Sequence, residues 1–560
     1  EIERHAGEMV AELLAEQAGI QVARSGGYGT ATSFYVRGAN SGQTKVLVDG
    51  IPINSLDASG SSLPYLSLAD VDHIEIVRGP ASTLYGADAV GGVIQIFTRK
   101  GETGVKPDAF VGYGTHNTFQ ANAGVSVGEE KWRLRVEANR MSTGGISAQT
   151  HATNQDADND GYYNTGGAAS FSLFPADGHE LGVSYRENRG RTYYDSGNVP
   201  PDGTYDDYVD FINSQWRIFS RDRLASFWHS TLQYGQAHDW EKSYSEYAPQ
   251  GAFLETENRN ASWQNDIDLP LGKMLAAVEH QEQVGWADDS QPFTAGNSIS
   301  NNSFLLGWTA NWGSNRWQVN ARRDINSVYG GKSTWSAAYG YQFTPEWRAQ
   351  ASYGTSFKAP TLYQLYTPYY GNPNLRPETA RNRAVAIVWE RGGQRASATY
   401  YRNSVTNLID WVMIDPSSFS GQYENVEKAT LQGVTLAYSG RFGDWRLHGS
   451  YDWLDAVNDQ TGMALGRRAR NKVVAGVSHL WGPFEAGAEV VGVARRYDSN
   501  SQTGNLGGYT LVNLTARYAL TKSLSIEGRI DNVADKHYEL AQGYGTLGIT
   551  AFVGIRYTPQ

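Results

Sequence analysis

The sequence predicts an all-β protein, a transmembrane barrel of about 22 antiparallel strands behind a small α+β unit. Three observations carry this reading. The 560 residues include 62 Gly, 34 Tyr and 16 Trp, a mixture that long helices avoid because Gly is a poor helix former and aromatics favour strands. No stretch approaches the roughly 20 apolar residues of a membrane helix. Beyond about residue 104, apolar and polar residues alternate with period two, and the connections alternate between short and long.

Residues 1–104 read as the compact α+β unit. Met9-Val10 and Leu13-Leu14 put an apolar face on a helix over Glu8–Gln17, which Gly19 ends. Apolar runs at Phe34–Val36, Val46–Val48, Ile74–Val77 and Val93–Phe97 are short strands between Gly-rich turns. Arg99-Lys100-Gly101-Glu102 is a linker into residues 105–560.

There Phe119, Ala121, Ala123, Val125 and Val127 alternate with Gln120, Asn122, Gly124 and Ser126, and Trp132, Leu134, Val136 and Ala138 with Arg133, Arg135, Glu137 and Asn139. The pattern persists to Ala551, Val553, Ile555 and Tyr557. A soluble sandwich would bury the apolar set; a membrane barrel turns it to lipid and the polar set to a lumen. Gly128–Lys131 and Pro175–Gly178 are short, whereas Thr143–Tyr162 and Tyr193–Asp206 are long, and that asymmetry favours the barrel. At roughly 20 residues per strand and connection, residues 105–560 make about 22 strands.

Charge and composition exclude several functions. Lys plus Arg is 47 against 58 Asp plus Glu, a net charge of −11, which makes a poor nucleic-acid binder. The absence of cysteine removes disulfides, Cys-ligated zinc and thiol nucleophiles. The 11 histidines are scattered, with no acid–base or nucleophile constellation, so no enzyme is expected. The chain begins at Glu1 without a visible leader, as expected of a processed product.

Two segments carry a family resemblance. Val77-Arg78-Gly79-Pro80-Ala81-Ser82-Thr83-Leu84-Tyr85-Gly86-Ala87-Asp88-Ala89-Val90-Gly91-Gly92-Val93-Ile94-Gln95-Ile96 and Val46-Leu47-Val48-Asp49-Gly50-Ile51-Pro52-Ile53-Asn54 resemble the plug signatures of TonB-dependent outer-membrane transporters. Ser352–Pro360, Gly371–Glu378 and Asp531–Tyr538 resemble that family's barrel motifs. The resemblance implies an integral protein of the bacterial outer membrane: a 22-stranded, monomeric barrel in lipid, with the N-terminal unit folded inside it as a plug. It also implies energy coupling by TonB with ExbB-ExbD, through a segment upstream of Glu1. Within the family, the Arg24–Asn40 segment and Asp158-Asn159-Asp160-Gly161 are most similar to the BtuB-type vitamin B12 (cobalamin) transporters. A siderophore, haem or other chelate receptor is the alternative, and an outer-membrane barrel enzyme or adhesin a more distant one.

Asp156-x-Asp158-x-Asp160-Gly161 is half of a carboxylate loop suited to a hard cation, Ca²⁺. Asp195, Asp202, Asp206, Asp207 and Asp210 follow in a stretch with no Lys or Arg from Tyr193 to Gln215. Like charges so placed repel without a counter-ion, although both loops could simply be acidic and solvated. By resemblance the ligands are Asp158, Asp160, Asp195 and Asp207; Asp156 lies outside the family spacing. The substrate candidates are the plug apices, Tyr28, Gly29, Thr30 and Ala31 in one loop and Ser59, Gly60 and Ser61 in another, whose neutral donors suit an amide-fringed corrin; ordinary turns are the alternative. By resemblance Arg467 and Tyr544 join them from the barrel, though Arg467 could simply line the lumen. Arg37 and Arg78 are expected at the plug–barrel interface. The family's acidic barrel partners correspond here to Ala384 and Thr435, leaving Glu75 as the expected partner of one arginine within the plug.

Overall fold

A computed structural model describes residues 2–56, 61–79, 81–149, 158–195, 206–245, 248–287, 298–367, 370–415 and 420–559. Twenty-two antiparallel strands form a closed barrel, sealed where Thr550–Tyr557 pairs with Gly104–Gly114 in the register Ile555↔Val111. Closure leaves no strand edge, the condition for placing a sheet in lipid.

Side-chain burial decides between barrel and sandwich. On the strand Trp132–Ile146, Arg135, Glu137 and Asn139 are buried while Val136 and Ala138 are exposed. Around the wall, Phe304, Leu306, Val385, Ile387 and Val553 are each about half exposed, whereas Asn164, Arg322, Asp324 and Asn382 are enclosed. This is the inverse of a water-soluble sandwich. The same wall explains the aromatic excess. Trp312, Phe343, Trp347, Trp445 and Trp481 are exposed where strands meet the short turns, and exposed Tyr557 ends the last strand on the same side, paired with Leu524. They form the girdle that aromatic rings make at a membrane interface. Turns at that end have two to five residues, while the opposite end carries connections such as 359–377, 494–508 and 532–549. We refer to the latter as the loop end.

The N-terminal unit fills the lumen. Helix α1 (Val10–Ala15) packs on a sheet of β3 (Thr44–Val48), β4 (Ile51–Pro52), β5 (Val71–Arg78) and β6 (Gly92–Thr98), ordered β4-β3-β6-β5. Its core includes Val10, Leu14, Val46, Val48, Ile94 and Ile96. Pairing of β3 with β6 is parallel, and the other two pairings are antiparallel. A separate hairpin, β1 (Ile20–Arg24) and β2 (Thr32–Val36), projects from this core. The sequence pattern located β2, β3, β5 and β6 to within three residues but not β1, whose Ile20-Gln21-Val22-Ala23-Arg24 is too short and mixed to show a period.

Barrel side chains seat this unit by reaching its backbone. Gln215 Nε2 donates to the Val48 carbonyl at 2.9 Å, Arg217 Nη1 to that of Asp49 at 2.6 Å, and Asn164 Nδ2 to that of Tyr65 at 2.7 Å. The Lys472 ammonium donates to Ala15, Gln17 and Ile20 carbonyls at 2.5–3.1 Å, capping the end of α1.

The inside-out wall is directly testable. Val385, 53% exposed near the middle of the strand Glu378–Arg391, faces hydrocarbon. Val385→Arg is expected to destabilise the barrel by about 2–4 kcal/mol in vesicle-based urea titrations.

Candidate functional site at the loop end

The loop joining β1 and β2 is the apex of the N-terminal unit. Gly29 has φ +75°, and a Cβ there would collide with the Thr192 hydroxyl and the Tyr162 ring, so only glycine fits. Thr30 is buried, and its hydroxyl donates to the Gly27 carbonyl at 2.9 Å, bracing the turn rather than presenting a donor. Ala31 is exposed and Tyr28 half-buried. Burial raises the Tyr28 hydroxyl well above the usual phenol range. Ser61 is half-buried at the start of the described part of the second apex; Ser59 and Gly60 lie outside the described residues.

Asp158, Asp160 and Asp195 come together from two successive loops, each offering a carboxylate oxygen within 4.8 Å of the others. Asp160 accepts from the Ala148 N–H and Asp195 from the Gln149 N–H, both at 2.7 Å. An all-carboxylate donor set is the chemistry of a hard cation, so these three residues fit Ca²⁺. Asp207 is not in this trio; its carbonyl accepts from the Tyr194 N–H at 3.0 Å, one residue before Asp195. Asp156 lies outside the described residues.

The two barrel candidates sit in different places. Tyr544 adjoins the trio: its hydroxyl donates to the Asp195 carbonyl at 3.4 Å, and it bridges to Gln149. Arg467, with φ +61°, pairs with Asp498 at 2.9 Å. It lines a cavity of about 350 Å³ with Tyr35, Trp411, Tyr423 and Asp410. Tyr28 lines another cavity, so the substrate candidates do not converge on one pocket. Arg468, which sequence reasoning passed over, joins the Arg467 cavity to the plug. Its guanidinium lies 4.3 Å from the Tyr35 ring centroid, donates to the Gly38 carbonyl at 3.0 Å, and bonds Asn40. The adjoining arginines of Gly466-Arg467-Arg468 differ only in which way each side chain turns, a tertiary fact with no local signal.

The interface arginines correct one expectation. Glu75 pairs with neither Arg37 nor Arg78. It is exposed, 3.7 Å from His73. The reason is period two: Glu75 and Arg78, three residues apart on β5, point to opposite faces. The partners come instead from barrel strands beside the expected positions. Arg37 lies 4.5 Å from the Tyr401 ring centroid, and Tyr401 is the cross-strand neighbour of Ala384. Asp452 is the cross-strand neighbour of Thr435, accepts its hydroxyl at 2.6 Å, and accepts the Gly19 N–H at 2.8 Å. Gly19 in turn packs against both arginines. Burial pushes Arg37 down to about 10, opposed by Tyr401 and Asp452, and lowers Arg78 as well.

A third contact anchors the N-terminal helix. His5 meets Glu8 at 2.6 Å and Glu16 at 3.3 Å, while barrel Arg529 meets Glu8 at 3.0 Å and Glu16 at 3.2 Å. Asp531, Glu489 and Lys472 complete the surroundings. Carboxylates outnumber fixed cations here. Burial therefore raises Glu16 to about 8, against the opposing pull of His5 and Arg529.

A closed 22-strand barrel whose lumen is filled by a folded N-terminal domain defines a plugged outer-membrane receptor. The model of the TonB-dependent receptor plug domain matches residues 1–93, and that of the TonB dependent receptor-like β-barrel matches residues 98–533. The chain therefore belongs to the TonB-dependent receptor family and is an integral protein of the bacterial outer membrane, with TonB as its partner. The loop end is its outer surface. A Photobacterium profundum protein, vitamin B12 transporter BtuB, is 31% identical over 556 residues, covering 97% of this chain and 89% of the relative. Among solved structures, a mutant of the ferric enterobactin receptor PfeA from Pseudomonas aeruginosa superposes with TM-score 0.86 at 18% identity, covering 99% and 96% of the two chains. The siderophore receptor PirA from Acinetobacter baumannii gives TM-score 0.83 at 16% identity with the same coverage.

The plug contacts can be tested one at a time. Asp452→Ala strands the Gly19 and Thr435 donors and should cost about 3 kcal/mol in urea titration of plug protection from protease. The cross-strand exchange Thr435→Asp with Asp452→Thr should recover at least half of that. For Glu16 the folded-state carboxyl titrates above its unfolded value of about 4.5, so the folded chain holds the extra proton. Thermal stability should fall as pH rises from about 4.5 to 8, and Glu16→Gln should flatten that slope.

Proposed function

We propose that this chain takes up vitamin B12 (cobalamin) across the outer membrane, with Ca²⁺ ordering the loops that cover the plug. The 31% identity to a vitamin B12 transporter along 97% of the chain carries the reading. The apex chemistry supports it: exposed Ala31 and half-buried Tyr28 are neutral, as suits an amide-fringed ring. Asp158, Asp160 and Asp195 would hold Ca²⁺, with Asp207 close by at the base of the second loop. Because Gln149 and Tyr544 contact Asp195, cation binding would fix three loops at once. Arg467 and Tyr544 would meet substrate from the barrel side. Residues 1–104 act as the plug and 105–560 as the barrel, a monomer in lipid. Coupling runs from ExbB-ExbD through TonB to a segment upstream of Glu1. No bond is made or broken in the cargo.

The second reading, a receptor for a siderophore, haem or other metal chelate, draws on the cations Arg467 and Arg468 at the outer cavity. Both are already engaged, Arg467 by Asp498 and Arg468 by Gly38 and Asn40, which leaves little charge for an anionic chelate.

Calorimetry with cyanocobalamin tests the reading. Micromolar or tighter binding is expected in calcium. Because ordering a segment costs about 2–5 kcal/mol, chelation or the double variant Asp160→Asn, Asp195→Asn should weaken binding tenfold or more. Absence of binding under saturating calcium would overturn the cobalamin assignment.

A further inference from the structure

Between the plug hairpin and the barrel wall lies a cavity of about 190 Å³. Tyr28 borders it from the apex, with Val491, Val493, Tyr509 and Tyr538 on the barrel side. The Tyr509 and Tyr538 rings lie 4.2 Å apart, so one flank of the cavity is aromatic.

Four cations border this space, and three are spoken for. Arg24 pairs with Glu12 at 2.5 Å, Arg529 with Glu8 and Glu16, and Lys472 with plug carbonyls. Arg496 has no carboxylate partner among the described residues; its guanidinium lies 5.9 Å from the Tyr509 ring centroid and hydrogen-bonds the Tyr509 hydroxyl. It is 6% exposed, and its Nε and Nη2 have no hydrogen-bond partner among the described residues. The side chain is held by its backbone: Arg496-Tyr497 pairs antiparallel with Asn505-Leu506, a small hairpin in the 494–508 loop anchored by the buried Leu506.

Nε–H and an Nη–H form the flat edge of a guanidinium, two parallel donors spaced for two oxygens of one carboxylate or phosphate. Burying that edge unfilled is costly, and filling it with an oxyanion recovers the cost. We propose that the Nε/Nη2 edge of Arg496 is a seat for an oxyanion, a phosphate ester or carboxylate, whose apolar or aromatic remainder lies against Tyr28, Val493 and Tyr538. The cavity admits a substituent, not a whole corrinoid. If the cobalamin reading under Proposed function holds, the group seated is the phosphodiester of the nucleotide loop.

The full chain in detergent, with Arg496→Gln and the charge-keeping Arg496→Lys, allows a test by calorimetry. The probes are phenyl phosphate and the uncharged benzyl alcohol, and barrel folding of each variant is verified by heat-modifiable gel mobility. Phenyl phosphate should bind the wild type, weaken about 10- to 100-fold in Arg496→Gln, and fall between these in Arg496→Lys; benzyl alcohol should discriminate among none of them. Equal phenyl phosphate binding in all three, or none to the wild type, would overturn the seat. Comparing cyanocobalamin with dicyanocobinamide, which lacks the phosphodiester, separates the sources. A preference for cyanocobalamin that Arg496→Gln abolishes assigns the seat to the substrate; an unchanged preference with phenyl phosphate binding lost assigns it to a free oxyanion. Failure of both corrinoids to bind the wild type would reject the cobalamin reading, while the phenyl phosphate arm still decides the seat.

Discussion

The absence of water in the bilayer governs this structure. Every backbone group crossing hydrocarbon must be satisfied within the sheet, so the sheet closes, and closure makes the inner face of the wall the only place for polar side chains. The plug then meets a mixed surface, in which Asn, Gln, Arg and Asp adjoin apolar patches: Ala39 and Val90 pack with Tyr401, Val405, Leu431 and Leu454, and Leu56 with Ile299, Leu365 and Ile409. Its own core gathers around Val46, Val48 and Ile94, and its outer contacts combine those apolar patches with hydrogen bonds and ion pairs. Much of the seating is made by barrel side chains on plug carbonyls, as with Gln215 on Val48, Arg217 on Asp49 and Lys472 on Ile20. Such contacts read the plug backbone, so they fix its position without requiring particular plug side chains.

The two plug arginines show how the same constraint permits rewiring. Cross-strand neighbours on one face of a sheet have Cβ atoms about 5 Å apart. A barrel group can therefore move one strand sideways and still reach the same point in the lumen. Asp452 opposite Thr435, and Tyr401 opposite Ala384, occupy those neighbouring positions. One lends a carboxylate to the Gly19 corner between the arginines, the other a ring face to Arg37. A position-by-position comparison of the sequence finds no acid at either expected site. The pairing register supplies what that comparison omits.

The architecture was legible because it is periodic. Alternation at Phe119–Val127 and Trp132–Asn139 indicates strands without any tertiary information, and loop asymmetry indicates which alternating set faces lipid. Asp158 and Asp160 were legible as candidates because they are acidic, close in sequence and free of local cations, and Asp195 because it opens a second acidic stretch in the next long loop. What sequence could not supply is facing. Glu75 and Arg78 share a strand yet cannot meet, and Arg467 and Arg468 adjoin yet serve different partners, Asp498 and the plug. The Tyr28 apex and the Arg467 cavity belong to one resemblance but to separate spaces. Arg496 reads as one more basic loop residue until the fold buries it.

A mixed interface also bears on how a plug is sealed in its barrel. Its apolar patches hold firmly, because separating them exposes hydrocarbon surface to water at about 25 cal/mol per Å². A hydrogen bond exchanged for water changes free energy by only about 0.5–1.5 kcal/mol. Buried ion pairs such as Arg529 with Glu8 and Glu16 regain solvation when water enters, offsetting much of the attraction lost. The plug is thus held by apolar patches together with many individually exchangeable polar contacts, around a core that is mostly its own. Water can replace the polar contacts a few at a time, while the Val46–Ile94 core holds the domain together. The chemistry that lipid imposes on the wall thus gives the plug a seat whose polar part is exchangeable.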